Sequence, residues 1–411
     1  MYKATKNTIW RIAAVVCMLQ ACSKKGSSGE TIITPPLTQP KDTVPALATV
    51  RGWLADKSAT DETAALFYNL KKVAKTGILF GHQDATKRGL SDATTQWANE
   101  QHLPAVSADK SDVKAVTGAY PAVYGHDFLH IANFNKSPWF VYEANIARQL
   151  TIDAYNRGGV NTFAWHYNNP VSKGSFYWND SKVEAVSKIL PGGSHNEVYK
   201  QSLKEVADFA RSLVGANGKL VPVIFRPFHE FDGDWFWWGA AHCTPEQYKQ
   251  LYQFTVTYLR DSMGVHNFIY AWSPDRKFNS EAQYLERYPG DAYVDLVGMD
   301  NYGDMAVGTA PTVAGTKLKI VSDYALRKNK VAALTETGLS RLPQSDWFTG
   351  LLQKALQSHT PQLAYVLVWA NTKDHFWTPY KDHPAAPDFI KFKQSSYVLF
   401  GDEMPKMYEI K

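Results

Sequence analysis

Val221-Pro-Val-Ile-Phe-Arg-Pro-Phe-His-Glu-Phe-Asp-Gly-Asp-Trp-Phe-Trp-Trp238 starts as an apolar strand and ends in a knot of charge and indole. Val221 to Phe225 is the short apolar run expected of a strand buried on both faces. Arg226, His229, Glu230, Asp232 and Asp234 follow at once, then Trp235, Phe236, Trp237 and Trp238. Packing in a core explains the aromatics. It does not explain the Arg-His-Glu group, because buried charge without a partner or a task is costly.

Working outward, the same pattern recurs. Gly77-Ile-Leu-Phe-Gly-His-Gln83, Pro121-Ala-Val-Tyr-Gly-His-Asp127 and Val160-Asn-Thr-Phe-Ala-Trp-His166 precede the opening stretch. Asn267-Phe-Ile-Tyr-Ala-Trp272, Val294-Asp-Leu-Val-Gly-Met-Asp300, Lys330-Val-Ala-Ala-Leu-Thr-Glu336 and Leu363-Ala-Tyr-Val-Leu-Val-Trp369 follow it. Between them lie helical spacings over 143–157, 196–213, 244–263, 319–329 and 345–358, with another at 61–74 before the first strand. Thr244-Pro-Glu is a good helix start. Eight apolar strands alternating with helices predict a (β/α)8 barrel in one catalytic domain over 49–411. A doubly wound open sheet alternates similarly, but no glycine-rich phosphate turn follows the first strand.

Seven of the eight strands turn polar at their C-terminal ends: His82, Asp127, His166, His229/Glu230, Ser273/Asp275, Asp300/Tyr302 and Glu336. In a barrel these ends share one rim, where reactive groups collect. Glu230 and Glu336 end the fourth and seventh strands. Two such carboxylates beside aromatic faces suit a glycosidic bond, with one donating a proton and the other acting at the anomeric carbon. Spacings of about 5–5.5 Å retain configuration and wider ones invert it. Trp faces stack on pyranose rings. His126/Asp127 and His229/Glu230 lack zinc-ligand spacing, so neither metal nor cofactor is expected.

Phe80-Gly-His-Gln83, Tyr120-Pro-Ala-Val-Tyr-Gly-His-Asp127, Arg226-Pro-Phe-His-Glu-Phe-Asp-Gly-Asp-Trp235, Asp300-Asn-Tyr302, Thr335-Glu-Thr-Gly338 and Val368-Trp369 together resemble glycoside hydrolase family 26. The resemblance covers 49–411. It implies a retaining β-1,4-mannanase acting on mannan, galactomannan or glucomannan, with Glu230 as acid/base and Glu336 as nucleophile. It further implies that His229 holds the nucleophile or the sugar, that His82 and His166 line the non-reducing side, and that Trp235 borders the cleaved bond. Trp369 would be the platform under the reacting sugar, with Trp178 a looser candidate. Arg226 and the Tyr302 hydroxyl are expected to keep Glu336 ionised, with Asp300 beside them. Phe228, Phe231 and Trp235 are expected to wall Glu230. Trp237 and Trp238 read as packing. The rival readings are an exo-acting mannobiohydrolase, a β-glucanase or β-xylanase, and a glycan-binding lipoprotein without catalysis.

Composition fits an ordinary globular chain: 45% hydrophobic and 20% charged over 411 residues. Lys3, Lys6 and Arg11 precede a short apolar run, Ile12 to Leu19, and Leu19-Gln-Ala-Cys22 resembles a lipoprotein cleavage box. Residues 1–21 read as a signal peptide and 22–48 as a flexible tether, with Cys22 the lipidated residue. The expected place is a bacterial, outer, membrane, on a face the sequence leaves open. Losing the signal's three basic residues takes the formal charge from +5 to +2. No basic stripe is left to argue for nucleic acid. Cys243 alone remains of three cysteines, so no disulfide within the chain is expected. The partners implied are β-mannan or manno-oligosaccharides and a lipid anchor, for a monomer.

Overall fold

The computed structural model describes residues 44–98, 109–134 and 136–410. The signal peptide, Cys22 and most of the tether lie outside the described residues. Eight parallel strands close into a barrel: β1 (Ile78–Gln83), β2 (Val123–Asp127), β3 (Val160–Trp165), β4 (Val223–Pro227), β5 (Phe268–Trp272), β6 (Leu296–Asn301), β7 (Val331–Thr337) and β8 (Tyr365–Val368). Each pairs with the next, and β8 returns to β1 through Leu79↔Tyr365 to His82↔Val368. The fold is the (β/α)8 barrel that the strand count predicts.

Strand alternation builds two shells. Val223 and Phe225 of β4, Val297 and Met299 of β6, and Ala332 and Leu334 of β7 pack with the surrounding helices. Ile224, Leu296, Ala333 and Leu367 pack with one another as the lower layers of the lumen. The helix Asp61–Val73 adds Leu66, Phe67 and Leu70 to that inner cluster and so covers the N-terminal mouth. Its start is capped by the Thr60 hydroxyl, which accepts from the Thr63 amide. With one end plugged, the inward positions at the other end, Arg226 and Asp300 among them, are free to form a site.

Several boundaries differ from the sequence reading for local reasons. The first helix, Leu47–Arg51, begins two residues before position 49. The helix after β2 runs over Pro138–Asn156 and starts at a proline rather than at Glu143. Exposed Trp139 and Val141 hide the amphipathic spacing of its first turn. The helix after β6 starts at Pro311, not Lys319; Thr312 and Gly315 are weak helix formers that mask it. Thr244 forms a full capping box with Gln247. That helix gives way to a wider π turn at Tyr258–Ser262. The antiparallel hairpin of Arg88–Leu90 with Gln96–Ala98 was not expected. The C-terminal helix Ala386–Lys393 leads to Val398–Leu399, which pairs with the start of β1. Among the described residues no helix is long and apolar enough to cross a membrane.

Asp295, buried just before β6, holds the plugged end together. Its Oδ1 accepts from the Ala55 amide at 2.5 Å and its Oδ2 from the Tyr270 amide at 2.9 Å. Burial pushes its pKa up to about 6 despite these donors. Asp295→Ala strands both amides in the interior. It is expected to lower the unfolding free energy by about 2–5 kcal/mol in urea titrations; a loss under about 1 kcal/mol would mean the amides find other partners.

Candidate active site

β4 points Ile224 into the lumen, so two residues on Arg226 points there too, one layer higher. Its Nη1 donates to Asp300 Oδ2 at 2.6 Å and to Ser273 Oγ at 3.2 Å, and its Nη2 lies 3.2 Å from Glu336 Oε2. Arg226, Asp300 and Glu336 are all buried. Asp300 also accepts from the Thr335 hydroxyl at 2.7 Å. Gly298 makes room for this, because a Cβ there would stand 2.5 Å from the Thr335 methyl.

Glu336 owes its aim to a β-bulge. Met299 pairs with Leu334 but Asp300 pairs with Glu336, and on the other side Val366 pairs with Leu334 but Val368 with Thr337. β7 thus carries one extra residue relative to both neighbours. Such a bulge turns a side chain that strict alternation would send outward. Thr335 and Glu336 both end up against Arg226 and Asp300.

Glu230 is presented differently. After Pro227 the chain enters a tight elbow in which Phe228 (φ 52°) and Glu230 (φ 53°) both take left-handed backbone. Each such non-glycine residue costs on the order of 1–2 kcal/mol. Hydrogen bonds fix the elbow on all sides. The Tyr248 hydroxyl donates to Phe228 O at 3.0 Å, Trp238 Nε1 to His229 O at 2.8 Å, and the Gly233 amide to Glu230 O at 3.0 Å. The Glu230 amide donates to Ser273 O at 3.0 Å. Trp238 and Trp237 are fully buried, as the packing assignment expects.

The half-buried Glu230 side chain accepts from Trp235 Nε1 at 2.7 Å. Trp235 therefore gives it a donor, not only an apolar wall. Phe228 and Phe231 are buried in the core behind the elbow. Burial, then Asp300 and Asp275, push the Glu230 pKa well above the usual carboxylate range, while Trp235 and Arg226 pull it down. Glu336 is pushed the same way by burial, but Arg226 sits directly on it, and Asp300 and Glu230 then act against ionisation. Among the described residues Glu230 makes no ion pair, whereas Glu336 pairs with Arg226.

The remaining sequence candidates divide. His229 is buried, with Nδ1 unpartnered among the described residues. Its ring meets His166 edge-on at 4.8 Å, and burial holds it neutral. His166 stands at the rim, where its Nδ1 lies 2.5 Å from Asp127 Oδ2, and its ring faces Trp369 at 5.9 Å. His82 is fully buried at the end of β1, with a pKa lowered by burial to about 4. Tyr302 is half-buried, and burial, Glu336 and Glu230 raise its pKa. Among the described residues its hydroxyl makes no hydrogen bond to Glu336, and the contact expected to support that carboxylate is the Arg226 ion pair alone.

Trp178 has one face covered: His242 stacks flat on it at 3.7 Å and 12°, which leaves the other for a sugar. Its neighbour Tyr177, which the sequence reading passed over, points to the carboxylates instead. Tyr177 is 45% exposed and stacks on Phe236, and after burial the charges of Glu230 and Glu336 are what raise its pKa. The signal lay in Phe176-Tyr-Trp178, but nothing in it separates the tyrosine from the tryptophan. Trp377 packs over Gly338, where a Cβ would collide with it at 1.9 Å. His229, Asp300 and Glu336 each bring a possible ligand atom within 4.8 Å of the others. Arg226 already fills the cationic role beside two of them.

The sequence model of glycosyl hydrolase family 26 matches residues 55–384. Among solved structures, GH26C from Muricauda sp. is similar at a TM-score of 0.83 and 40% identity, over 90% of this chain and 100% of that one. The GH26 beta-mannanase BoMan26A from Bacteroides ovatus gives 0.77 and 36%, over 86% and 98%. A mannan endo-1,4-beta-mannosidase of Bifidobacterium adolescentis is 36% identical over 85% of this chain. The match spans 36% of that relative, so this chain corresponds to little more than a third of its length.

Arg226→Met leaves two buried carboxylates without their cation. The expected loss is about 3–5 kcal/mol of stability near neutral pH. Both carboxyls then bind protons more tightly folded than unfolded, so stability returns as pH falls through their raised folded values. Denaturant unfolding at two pH values reads this; a loss that grows toward acid would contradict the assignment.

Proposed function

Since the chain belongs to glycosyl hydrolase family 26, we propose that it is a retaining endo-β-1,4-mannanase. Mannan, galactomannan and glucomannan are its proposed substrates. The observation that carries the mechanism is the asymmetry of two carboxyls on one rim: Glu336 paired to Arg226, and Glu230 held by an indole N–H with no cation in contact. The relatives named as mannan endo-1,4-beta-mannosidases support the substrate class.

In this reading the Glu336 carboxylate attacks the anomeric carbon as the bond to the leaving oxygen breaks, and Glu230 gives its proton to that oxygen. A glycosyl ester on Glu336 results. Glu230, now ionised, takes a proton from water as the water oxygen attacks the anomeric carbon; the ester breaks and Glu336 is restored. Two inversions retain configuration. Burial and neighbouring acids keep Glu230 protonated near neutrality, and Arg226 offsets the charge on Glu336. Trp369 and Tyr177 supply aromatic surface, and His166 and His229 supply ring nitrogens to sugar hydroxyls. Upstream, a lipid on Cys22 and a tether to about position 48 would hold the barrel at a membrane. Cys22→Ala would then release active enzyme from the membrane fraction.

The deciding experiment is a time course of products from mannan, galactomannan, glucomannan, β-glucan and xylan. A mixed ladder of manno-oligosaccharides is expected. Mannobiose alone would move the reading to exo action, and no cleavage of any mannan would end it. Glu336→Gln should lower kcat/KM by at least about a thousandfold.

The acid's tuning makes a separate prediction. Activity falls as pH rises through the raised Glu230 pKa, because the donor loses its proton. Asp275→Asn removes a charge that raises this pKa, so the alkaline limb of kcat/KM should move to lower pH. Trp235→Phe removes a donor to the ionised form, so the limb should move to higher pH. Shifts in the same direction would refute the assignment of Glu230 as acid.

A further inference from the structure

Glu230 takes its one side-chain donor from a loop that is itself held from elsewhere. Trp235 lies in the loop after β4, and that loop is joined to the loop after β3. Tyr177 and Phe236 form an antiparallel bridge, and the Trp237 amide donates to Phe176 O at 3.3 Å. The Trp178 amide donates to Trp235 O at 2.7 Å, while the Trp235 indole N–H donates to Glu230 Oε2 at 2.7 Å. Gly233 leaves room for this indole, since a Cβ there would stand 2.3 Å from the ring. Lys277 Nζ lies 5.5 Å from the ring centroid.

One residue clamps the joint between the two loops. The half-buried His242 ring lies flat on Trp178, with centroids 3.7 Å apart and planes at 12°. Among the described residues the next closest ring pairs stand at 4.3 Å. A half-buried imidazole at a rim could turn into water; this one is fitted to the indole instead. Its Nε2 lies 2.8 Å from Asp234 O. A carbonyl only accepts, so Nε2 carries a proton and donates. That bond closes the 234–242 loop, whose inner amides are also satisfied: Gly239 donates to Phe236 O, Ala240 to Gly233 O and His242 to Gly239 O, each at 2.9 Å. Among the described residues His242 has no hydrogen bond or ion pair to Glu230 or Glu336. It ties Asp234, next to Trp235, to the ring of the residue whose amide holds the Trp235 carbonyl.

A reacting group is only as well placed as the residues that lock its partners. We infer that His242 is a positioning residue for the catalytic acid: it fixes Trp178, Trp178 fixes Trp235, and Trp235 presents its N–H to Glu230. The inference rests on the reading of Glu230 as acid. The charged and titratable groups that face Glu230 are Arg226 on β4, Asp275 after β5, Asp300 and Tyr302 at the end of β6, Glu336 on β7 and Tyr177 beside Trp178. The two tyrosines have raised pKa values and stay uncharged across the pH range of the acid. The other four lie on strands and loops that His242 does not clamp.

The test is the pH profile of kcat/KM on a mannan oligosaccharide of six residues. It is measured for the wild type, His242→Ala, His242→Phe, Trp235→Phe and the double variant of His242→Ala with Trp235→Phe. The Trp235 N–H favours ionised Glu230, so loosening it raises the pH at which the acid loses its proton. The alkaline limb of His242→Ala should therefore move up by about half a pH unit, in the direction of Trp235→Phe and no farther. The double variant should match Trp235→Phe, because both changes act through one bond. His242→Phe keeps a flat ring over Trp178 and should restore the wild-type limb. His242→Gln keeps a donor but no stack; it should shift like His242→Ala, and it carries the test if the alanine variant does not fold. A merely structural role lowers the melting temperature and leaves the limb in place. That outcome overturns the inference, as does an additive shift in the double variant or a His242→Phe limb displaced as far as that of His242→Ala. Each of these leaves the mannanase reading standing, whereas failure of the wild type to cleave any mannan overturns both.

Discussion

One guanidinium organises the catalytic rim. Arg226 comes from β4, Asp300 from β6 and Glu336 from β7, and the first bonds the other two across the lumen. Three charges in a buried layer would be ruinous singly, since removing one partner of a buried pair costs about 3–5 kcal/mol. Held together, they define where the strand ends sit relative to one another. Thr335 and Ser273 extend the network to two further hydrogen bonds. The bulge in β7 follows from the same constraint. An unbulged strand places either Thr335 or Glu336 inward, and the network uses both.

The elbow carrying Glu230 solves the opposite problem. It cannot be a regular strand end, because Phe228 must go to the core, His229 to the cleft side of His166, and Glu230 toward Trp235. Two left-handed residues in three achieve that division. Left unsupported, the turn would relax. The Tyr248 hydroxyl and the Trp238 indole pack in the core and also hold its carbonyls, which gives these large aromatics a purpose that a count of tryptophans does not reveal. Stability and function are linked here: residues that touch no substrate set the direction of the acid.

The barrel was legible because its strands are buried on both faces and read as apolar runs, and because polarity at seven strand ends has no other simple cause. Glu230 and Glu336 were legible as strand-end carboxylates. What escaped is what needs three dimensions. Thr335 looks like any inward strand residue, and nothing in the sequence marks the bulge that turns Glu336 to the same side. Tyr177 and Trp178 differ only in which one His242 covers. Helix starts at Pro138 and Pro311 were missed because exposed aromatics and weak helix formers erase periodicity where a first turn is held by its neighbours.

Charge balance explains why the site suits acid catalysis near neutrality. Glu230, Asp300 and Glu336 face a single formal cation, Arg226; His229 is held neutral by burial and by that same arginine. Full ionisation would leave two uncompensated negative charges in a buried space. Like charges in a buried space repel strongly, which raises the pKa of each carboxyl. One proton must therefore stay. Asp300 is tied to the guanidinium and the Thr335 hydroxyl, and Glu336 to the guanidinium. Glu230 has only an indole donor, with Asp275 pressing from the solvent side. The proposed mechanism places the proton on Glu230, the carboxyl without an ion pair among the described residues. In the proposed mechanism the proton is given up as Glu336 becomes a neutral ester, so the net charge of the layer is unchanged and Glu230 takes over the negative charge that Glu336 loses. The exchange reverses in the second half, when Glu230 takes a proton from water and the Glu336 carboxylate is restored.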